Sequence, residues 1–172
     1  MSRSNPDFPD EMSLGDARAW LRARVQEGAE CPCCRQFAKS YDRKLPSASA
    51  RLLIALYRYD DAEGREFVYL PPLLDRFGAT ILKGTPHQGG YGTLSHHWGL
   101  IEAQPGERED GSNRVGYWRV TDLGREFALE RATVPKYARL YGNRLLGLHG
   151  EPISIQDALG NKFNYRELME GA

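Results

Sequence analysis

Three cysteines within four residues are the feature of this sequence whose chemistry is easiest to name. Cys31 and Cys34 stand at the CxxC spacing, and Pro32 stiffens the turn between them. Two thiolates at this spacing converge on one tetrahedral ion, while backbone amides point at the sulfurs. The sequence therefore predicts half of a zinc site, with Cys31 and Cys34 as ligands and zinc as the cofactor.

The other half of this site is not evident. A structural zinc ion takes four ligands, and the chain has no second CxxC and no HxxxH. The remaining candidates are Cys33, His87, His96, His97 and His149. Two further interpretations stay open: the cysteines are small buried hydrophobes, or they form a redox pair outside the context of a thioredoxin-like fold.

Catalytic motifs are missing from the sequence. It contains no glycine-rich phosphate loop after a strand, no nucleophile elbow and no HExxH. We therefore expect a non-enzymatic protein. The chain also has no apolar run of membrane-span length and no apolar leader, and its clustered cysteines cannot staple distant segments, so we expect a cytoplasmic protein without membrane contact.

Charge is balanced overall but unevenly distributed. The 172 residues carry 23 basic and 23 acidic side chains. Residues 31–59 have a net charge of +5, and residues 131–149 have a net charge of +4. This segregation predicts one face that attracts phosphate, although solvated charges spread over the surface would look the same in the sequence.

The elements that must position these residues follow from periodicity. Helical spacing predicts a weakly apolar helix at 15–26, a mostly irregular segment at 35–44, and a strong helix starting at Pro46 and Ser47. A strand at 66–70, a short helix at 71–77, a loop at 83–90 and a third helix at 91–98 follow. Strand-like runs at 100–104 and 115–121 flank a polar connection and predict a hairpin, and Thr121 or Asp122 caps the next helix.

This order of helices and hairpin is that of a winged helix-turn-helix core. We expect its core to contain the residues on the apolar faces of these elements: Leu52, Leu56, Leu94, Trp98, Ile101, Trp118, Leu123 and Phe127. The C-terminal third predicts a second hairpin, at 134–141 and 144–148, and two short helices that begin at Ser154 and Asn164. Its apolar residues need a surface to cover them, which makes it the expected homodimer element: Leu145, Leu148, Ile153, Ile155, Leu159, Phe163 and Leu168.

The fold class expected is thus α+β, a winged helix-turn-helix core with an N-terminal cysteine-bearing segment and a C-terminal α+β extension. The corresponding segments are 1–44, 45–130 and 131–172.

Four strings support a resemblance. CPCCRQFAK, YGTLSHHWGLIE, GYWRVTDLGREF and VPKYARLYGNRLLG, in this order, resemble a group of small uncharacterised proteins encoded by bacteriophages and prophages. The part from WGLIE to the T-x-x-G-x-x-F pattern is similar to winged-helix transcription factors of the MarR and PadR type. The resemblance implies a fold, whereas function must be argued from a site.

Two functions are compatible with this expectation. The first is a phage or prophage protein that binds double-stranded DNA and regulates transcription, with the third helix in the major groove. Its expected DNA contacts are Arg43, Lys44, Arg51, Lys83, Gln88, Thr93, Ser95, His96 and Arg114. The second is a non-catalytic module that binds a host or phage protein, because the third helix lacks Arg and Lys and the tip of the hairpin is acidic.

Overall fold

The protein has a mixed α+β fold. The computed structural model describes residues 12–63, 66–70, 73, 93–106 and 116–170. The helices are α1 (Leu14–Arg24), α2 (Ser47–Glu63), α3 (Asp122–Ala128), α4 (Ile155–Leu159) and α5 (Tyr165–Glu170), with a 3₁₀ helix at Thr93–Trp98. The strands are β1 (Ala29–Glu30), β2 (Phe37–Ala38), β3 (Tyr41–Lys44), β4 (Val68–Tyr69), β5 (Ile101–Ala103), β6 (Tyr117–Val120), β7 (Val134–Tyr141) and β8 (Arg144–Ile153).

These strands form three small sheets with the orders β1-β2, β3-β7-β8 and β4-β6-β5. The chain divides into two compact units, whereas the sequence suggested three segments. Unit 1 contains the described residues up to Arg43 together with Arg139–Gly147, and unit 2 contains Lys44–Ala138 and the chain from Leu148 onward. The predicted loop at 83–90 lies outside the described residues, as does the helix at 71–77 except for Leu73. No helix in the described ranges combines the length and the apolar character that crossing a membrane requires.

Unit 1 begins with a capped helix. The Ser13 hydroxyl accepts the Asp16 amide at 3.2 Å, and α1 buries Ala17 and Trp20. Gly28, with φ of 94°, then turns the chain into β1. The expectation of mostly irregular chain at 35–44 is wrong, because β2 pairs with β1 and β3 joins the sheet of β7 and β8. Most of this segment's strand partners are remote in sequence, so local patterns do not reveal them.

Unit 2 is organised around α2. Every residue from Ser49 to Leu56 is buried, and the helix packs against β6, the 3₁₀ helix, α3, α4 and α5. The expected core is confirmed at five positions, each at most 3% exposed: Leu52, Leu56, Trp98, Ile101 and Phe127. The Trp98 indole also donates a hydrogen bond to the Pro135 carbonyl at 2.6 Å, so its one polar atom is satisfied inside the core.

Three members of the expected core differ. Leu94 and Trp118 are half-buried, and Leu123 is 43% exposed. The reason at Leu123 is its neighbour Gly124, since a Cβ at Gly124 would lie 1.9 Å from the Leu100 carbonyl oxygen. Gly124 therefore takes the position against the core, and the adjacent leucine is turned outward because neighbouring helical residues point about 100° apart.

The predicted first hairpin is confirmed. Strands β5 and β6 are antiparallel, with Ile101 opposite Val120 and Ala103 opposite Trp118. Strand β4 pairs with the other edge of β6, which puts β6 in the middle of its sheet. Thr121 then caps α3: its hydroxyl accepts the Gly124 amide at 3.0 Å and donates to the Gly99 carbonyl at 2.6 Å.

The C-terminal elements also follow the sequence pattern. Strand β7 has the predicted bounds, and Gly142 and Asn143 both have positive φ, as a two-residue hairpin turn requires. Ser154 and Asp157 form the predicted capping box. Two hydrogen bonds join helix α5 to the rest of unit 2. The Arg58 guanidinium donates to the Leu168 carbonyl at 3.0 Å, and the Tyr165 hydroxyl donates to the Ala128 carbonyl at 2.7 Å.

The expectation that the apolar residues of this region are all covered is only partly correct. Ile153, Ile155, Leu159 and Leu168 are buried. Leu145 and Leu148, in contrast, are 42% and 36% exposed on β8.

The close approach at Gly124 gives a test of unit 2. We expect Gly124→Ala to lower the free energy of unfolding by at least ~1–3 kcal/mol, because the new methyl group would overlap backbone that cannot move aside. Gly147→Ala is the matched control, since a Cβ there meets nothing within 4 Å, and it should change stability by less than ~0.5 kcal/mol. Urea unfolding of both variants gives the comparison, and equal stabilities would contradict the packing described.

Candidate functional site

The cysteines occupy the loop of a small hairpin in unit 1. Strands β1 and β2 pair with Glu30 opposite Phe37, and Cys31 to Gln36 form the connection. The Cys31 amide donates to the Gln36 carbonyl at 2.8 Å, and the Arg35 amide donates to the Cys31 carbonyl at 2.8 Å. Arg35 has φ of 59°, in the left-handed region, so the loop doubles back tightly on itself. We call residues 31–36 the cysteine knuckle.

Within the knuckle, hydrogen bonds converge on one sulfur. The Cys31 Sγ accepts the backbone amides of Cys34 and Cys33, and the thiols of both residues lie within hydrogen-bond reach of it. These bonds lower the pKa of Cys31, the amide of Cys34 having the largest effect and the amide of Cys33 the next, while desolvation acts in the opposite direction. The knuckle thus stabilises a thiolate at Cys31.

The burial interpretation of the cysteines does not fit this geometry. All three are free thiols; Cys33 and Cys34 are exposed, and Cys31 is half-buried. Within the described ranges no group of three or more His, Cys, Asp or Glu side chains is arranged to hold a metal ion. His96, His97 and His149 belong to unit 2, and His87 lies outside the described residues.

Four exposed side chains follow the knuckle at two-residue intervals. Phe37, Lys39, Tyr41 and Arg43 alternate aromatic ring and cation, and we call them the basic aromatic stripe. The rings of Phe37 and Tyr41 are unusually open to solvent, at 71% and 43% exposed. Both rings are therefore open to contact with a ligand.

Contacts inside unit 1 show how the stripe is ordered. The Arg43 guanidinium lies 5.0 Å from the centre of the Tyr41 ring, so these two side chains act as a pair. A Cβ at Gly28 would meet both the Phe37 ring and the Lys39 side chain, which therefore lie over the same glycine. Glycine at this position leaves room for both.

An ion pair neutralises Asp42, the one acidic residue from 37 to 43. Arg139 of β7 binds the Asp42 carboxylate in a fork, with Nε–Oδ1 of 2.9 Å and Nη2–Oδ2 of 3.3 Å. The hydrogen bond and the charge of Asp42 raise the pKa of Arg139. Since both partners are about a third exposed, the pair contributes little stability, and its effect is on charge and position. The described part of unit 1 has eight Lys and Arg side chains against four Asp and Glu.

Two of the expected DNA contacts, Arg51 and Ser95, are buried in unit 2. Arg51 is 5% exposed, its guanidinium lies 4.2 Å from the centre of the Phe163 ring, and burial lowers its pKa. Ser95 is fully buried. The third helix is a 3₁₀ helix with three residues per turn, so Ser95 comes to the same side as Trp98, which faces the core.

The remaining expected contacts have different positions. Arg43 and Lys44 are exposed on β3. Thr93 and His96 are half-buried, and the His96 Nδ1 lies 2.7 Å from the Thr93 carbonyl. The His96 ring also contacts that of His97, with 3.9 Å between centres and a tilt of 38° between the ring planes. Lys83, Gln88 and Arg114 lie outside the described residues.

Sequence reasoning missed Phe37, Lys39 and Tyr41 as a binding surface. The signal was present as the alternation of aromatic and basic residues from 37 to 43. The structure divides this run between β2 and β3, which belong to two different sheets, and leaves all four side chains of the stripe exposed.

The chain was also compared with known proteins. No protein-family model, no curated protein and no solved structure matches it. The arrangement of residues in unit 1 is therefore the basis for a functional argument.

The hydrogen bonds on the Cys31 sulfur predict its reactivity. In a Cys33→Ser/Cys34→Ser variant, where the two backbone amides remain, alkylation of Cys31 by iodoacetamide should have a pH midpoint below the ordinary thiol range. Unfolding the same variant in urea should raise the midpoint, because the amides no longer face the sulfur. By linkage, the thiolate contributes stability above the unfolded pKa and loses it as pH falls through the folded pKa. Identical midpoints in the two states would contradict the knuckle geometry.

Proposed function

We propose that the protein binds DNA through unit 1, and that the basic aromatic stripe makes the contact. The observation that carries this proposal is the alternation of two exposed rings with two cations at Phe37, Lys39, Tyr41 and Arg43. Cations attract the phosphate backbone, and exposed rings provide surfaces on which bases stack. The two kinds of contact are needed together when a protein follows a nucleic acid strand.

The rings favour single-stranded DNA over the duplex expected from sequence. A base stacks on an aromatic side chain only when it has left its own base stack, and unpaired strands offer such bases without the cost of opening a duplex. The excess of cations in unit 1 supports the same conclusion, because the field of this unit is positive although the whole chain is neutral.

We further infer that unit 2 is a winged helix. Supporting this is the order α2, β4, 3₁₀ helix, β5, β6 and α3, together with a sheet in which β6 lies between β4 and β5. In that fold the third helix usually enters the major groove. Here the burial of Ser95 and Trp98 favours a scaffold role for unit 2. A regulatory role in a bacteriophage or prophage, as the sequence resemblance implies, would then depend on unit 1.

The test is fluorescence anisotropy with a single-stranded 20-mer and the matching duplex at two or more salt concentrations. We expect tighter binding to the single strand. Phe37→Ala and Tyr41→Ala should each weaken it by ~1–3 kcal/mol, about 5- to 150-fold, through lost stacking. Lys39→Ala and Arg43→Ala should each reduce the slope of log affinity against log salt by ~0.7.

Lys162→Ala is the control, because it removes an exposed cation from unit 2 and should leave both affinity and salt slope unchanged. If neither oligonucleotide binds at low salt, or if Lys162→Ala has the same effect as Arg43→Ala, the proposal is wrong. If Arg43→Ala loses DNA affinity and neither ring variant does, the protein contacts phosphate without stacking on bases. The proposed role of the basic aromatic stripe would then be wrong.

One observation favours a second function, a protein-interaction module. Leu145 and Leu146, both in unit 1, are 42% and 48% exposed on β8, which ends its sheet. An exposed apolar edge strand is a template for pairing with another chain. Replacement of both leucines by threonine should leave DNA affinity unchanged and abolish capture of a protein partner. A loss of DNA affinity would mean instead that this edge strand takes part in DNA binding.

A further inference from the structure

The cysteine knuckle has the local geometry of half a tetrahedral thiolate site. The thiols of Cys34 and Cys33 both lie within hydrogen-bond reach of the Cys31 sulfur. The turn that holds them is closed by the hydrogen bonds between Cys31 and Gln36 and between Arg35 and Cys31, both 2.8 Å. The two sulfurs at the CxxC spacing, those of Cys31 and Cys34, are thus held near each other by a closed turn.

The knuckle is also accessible from outside. It forms the end of the β1–β2 hairpin, Cys34 is exposed, and Pro32 is half-buried. Cys34 is thus open to an approaching group, while Cys31 is half-buried. A second copy of the knuckle brings the same two sulfurs at the same CxxC spacing.

We propose that one zinc ion is held by Cys31 and Cys34 of two copies of this chain, so that the metal joins two knuckles. Zinc in structural sites takes four ligands in a tetrahedron, and thiolates are among its preferred ligands. Each copy provides one pair, and the site is incomplete without the second copy. The proposal is independent of DNA binding, since it concerns the metal and the assembly.

Charge at the junction supports this arrangement. Four thiols lose four protons when Zn²⁺ binds, and the resulting four-thiolate centre has a net charge of −2. Arg35 directly follows Cys34 and is exposed. Two copies bring two such guanidinium groups, which balance the charge of the centre.

The chemistry also distinguishes the three cysteines. Cys31 and Cys34 have the CxxC spacing that allows both sulfurs to bind one ion. Cys33 precedes Cys34 directly and is exposed. The joint site therefore requires Cys31 and Cys34 and does not require Cys33.

The experiment uses the full chain, freed of metal with a chelator under reducing conditions and then titrated with zinc. Light scattering coupled to size exclusion should show the mass rising from 19.4 kDa to about twice that value. Elemental analysis of the dimer should give one zinc per two chains. With Co²⁺ in place of zinc, the visible and near-ultraviolet spectrum should have the intensity of a tetrahedral four-thiolate site, which reports ligation even if the dimer dissociates during chromatography.

Variants make the assignment specific. Cys31→Ser and Cys34→Ser should each abolish the cobalt spectrum and the zinc-dependent dimer, whereas Cys33→Ser should keep both. Circular dichroism at 222 nm checks that each variant has kept its helices, so that lost ligation is not lost folding.

Several outcomes would overturn the proposal. One zinc per chain at monomer mass would mean that the chain completes the site with its own ligands. If dimers form equally well after chelation, the metal is not what joins the two copies. Loss of ligation in Cys33→Ser, or no binding of either metal at micromolar concentration, would reject the ligand set. None of these results depends on DNA affinity, so none of them bears on the proposed DNA binding.

Discussion

Helix α2 is buried around its whole circumference from Ser49 to Leu56, and the rest of unit 2 is arranged to cover it. Its leucines and isoleucine each stabilise the fold by about 1.5–3 kcal/mol through burial. The same constraint decides what Arg51 can do. A guanidinium on a helix without an exposed face must find partners inside, and the ring of Phe163 is one of them. A cation on this stretch of α2 is therefore buried, whereas the strand that precedes the helix is exposed.

Strand β3 ends directly before Leu45, which is fully buried. The preceding strand β3 is exposed along its whole length and adjoins β7 in the sheet. The two basic segments of the sequence therefore meet as neighbouring strands, and the pair of Asp42 with Arg139 removes the acid between them. A protein with no net charge thus acquires one positive unit, whose surface combines rings with cations.

Much of the fold could be predicted from the sequence, because its signals are local. The capped helices after Thr121 and Ser154, the Gly142–Asn143 turn and the β5–β6 hairpin all depend on residues close to one another in the chain. The site could be predicted only in part. Burial of Arg51 and Ser95 depends on packing with remote elements, as does the strand character of residues 41–44, whose neighbour in the sheet is β7. The exposure of Leu123 depends on a single close approach at Gly124, which periodicity does not encode.

The most direct test of the central claim is to map where the protein touches DNA. Ultraviolet crosslinking of the full chain to a photoreactive single-stranded oligonucleotide, followed by mass spectrometry of the digested complex, identifies the residues in contact. The account predicts crosslinks within residues 37–43, above all at Phe37 and Tyr41, because bases stacked on these rings lie within bonding distance. Crosslinks confined to unit 2, for instance to residues 93–98, would contradict it.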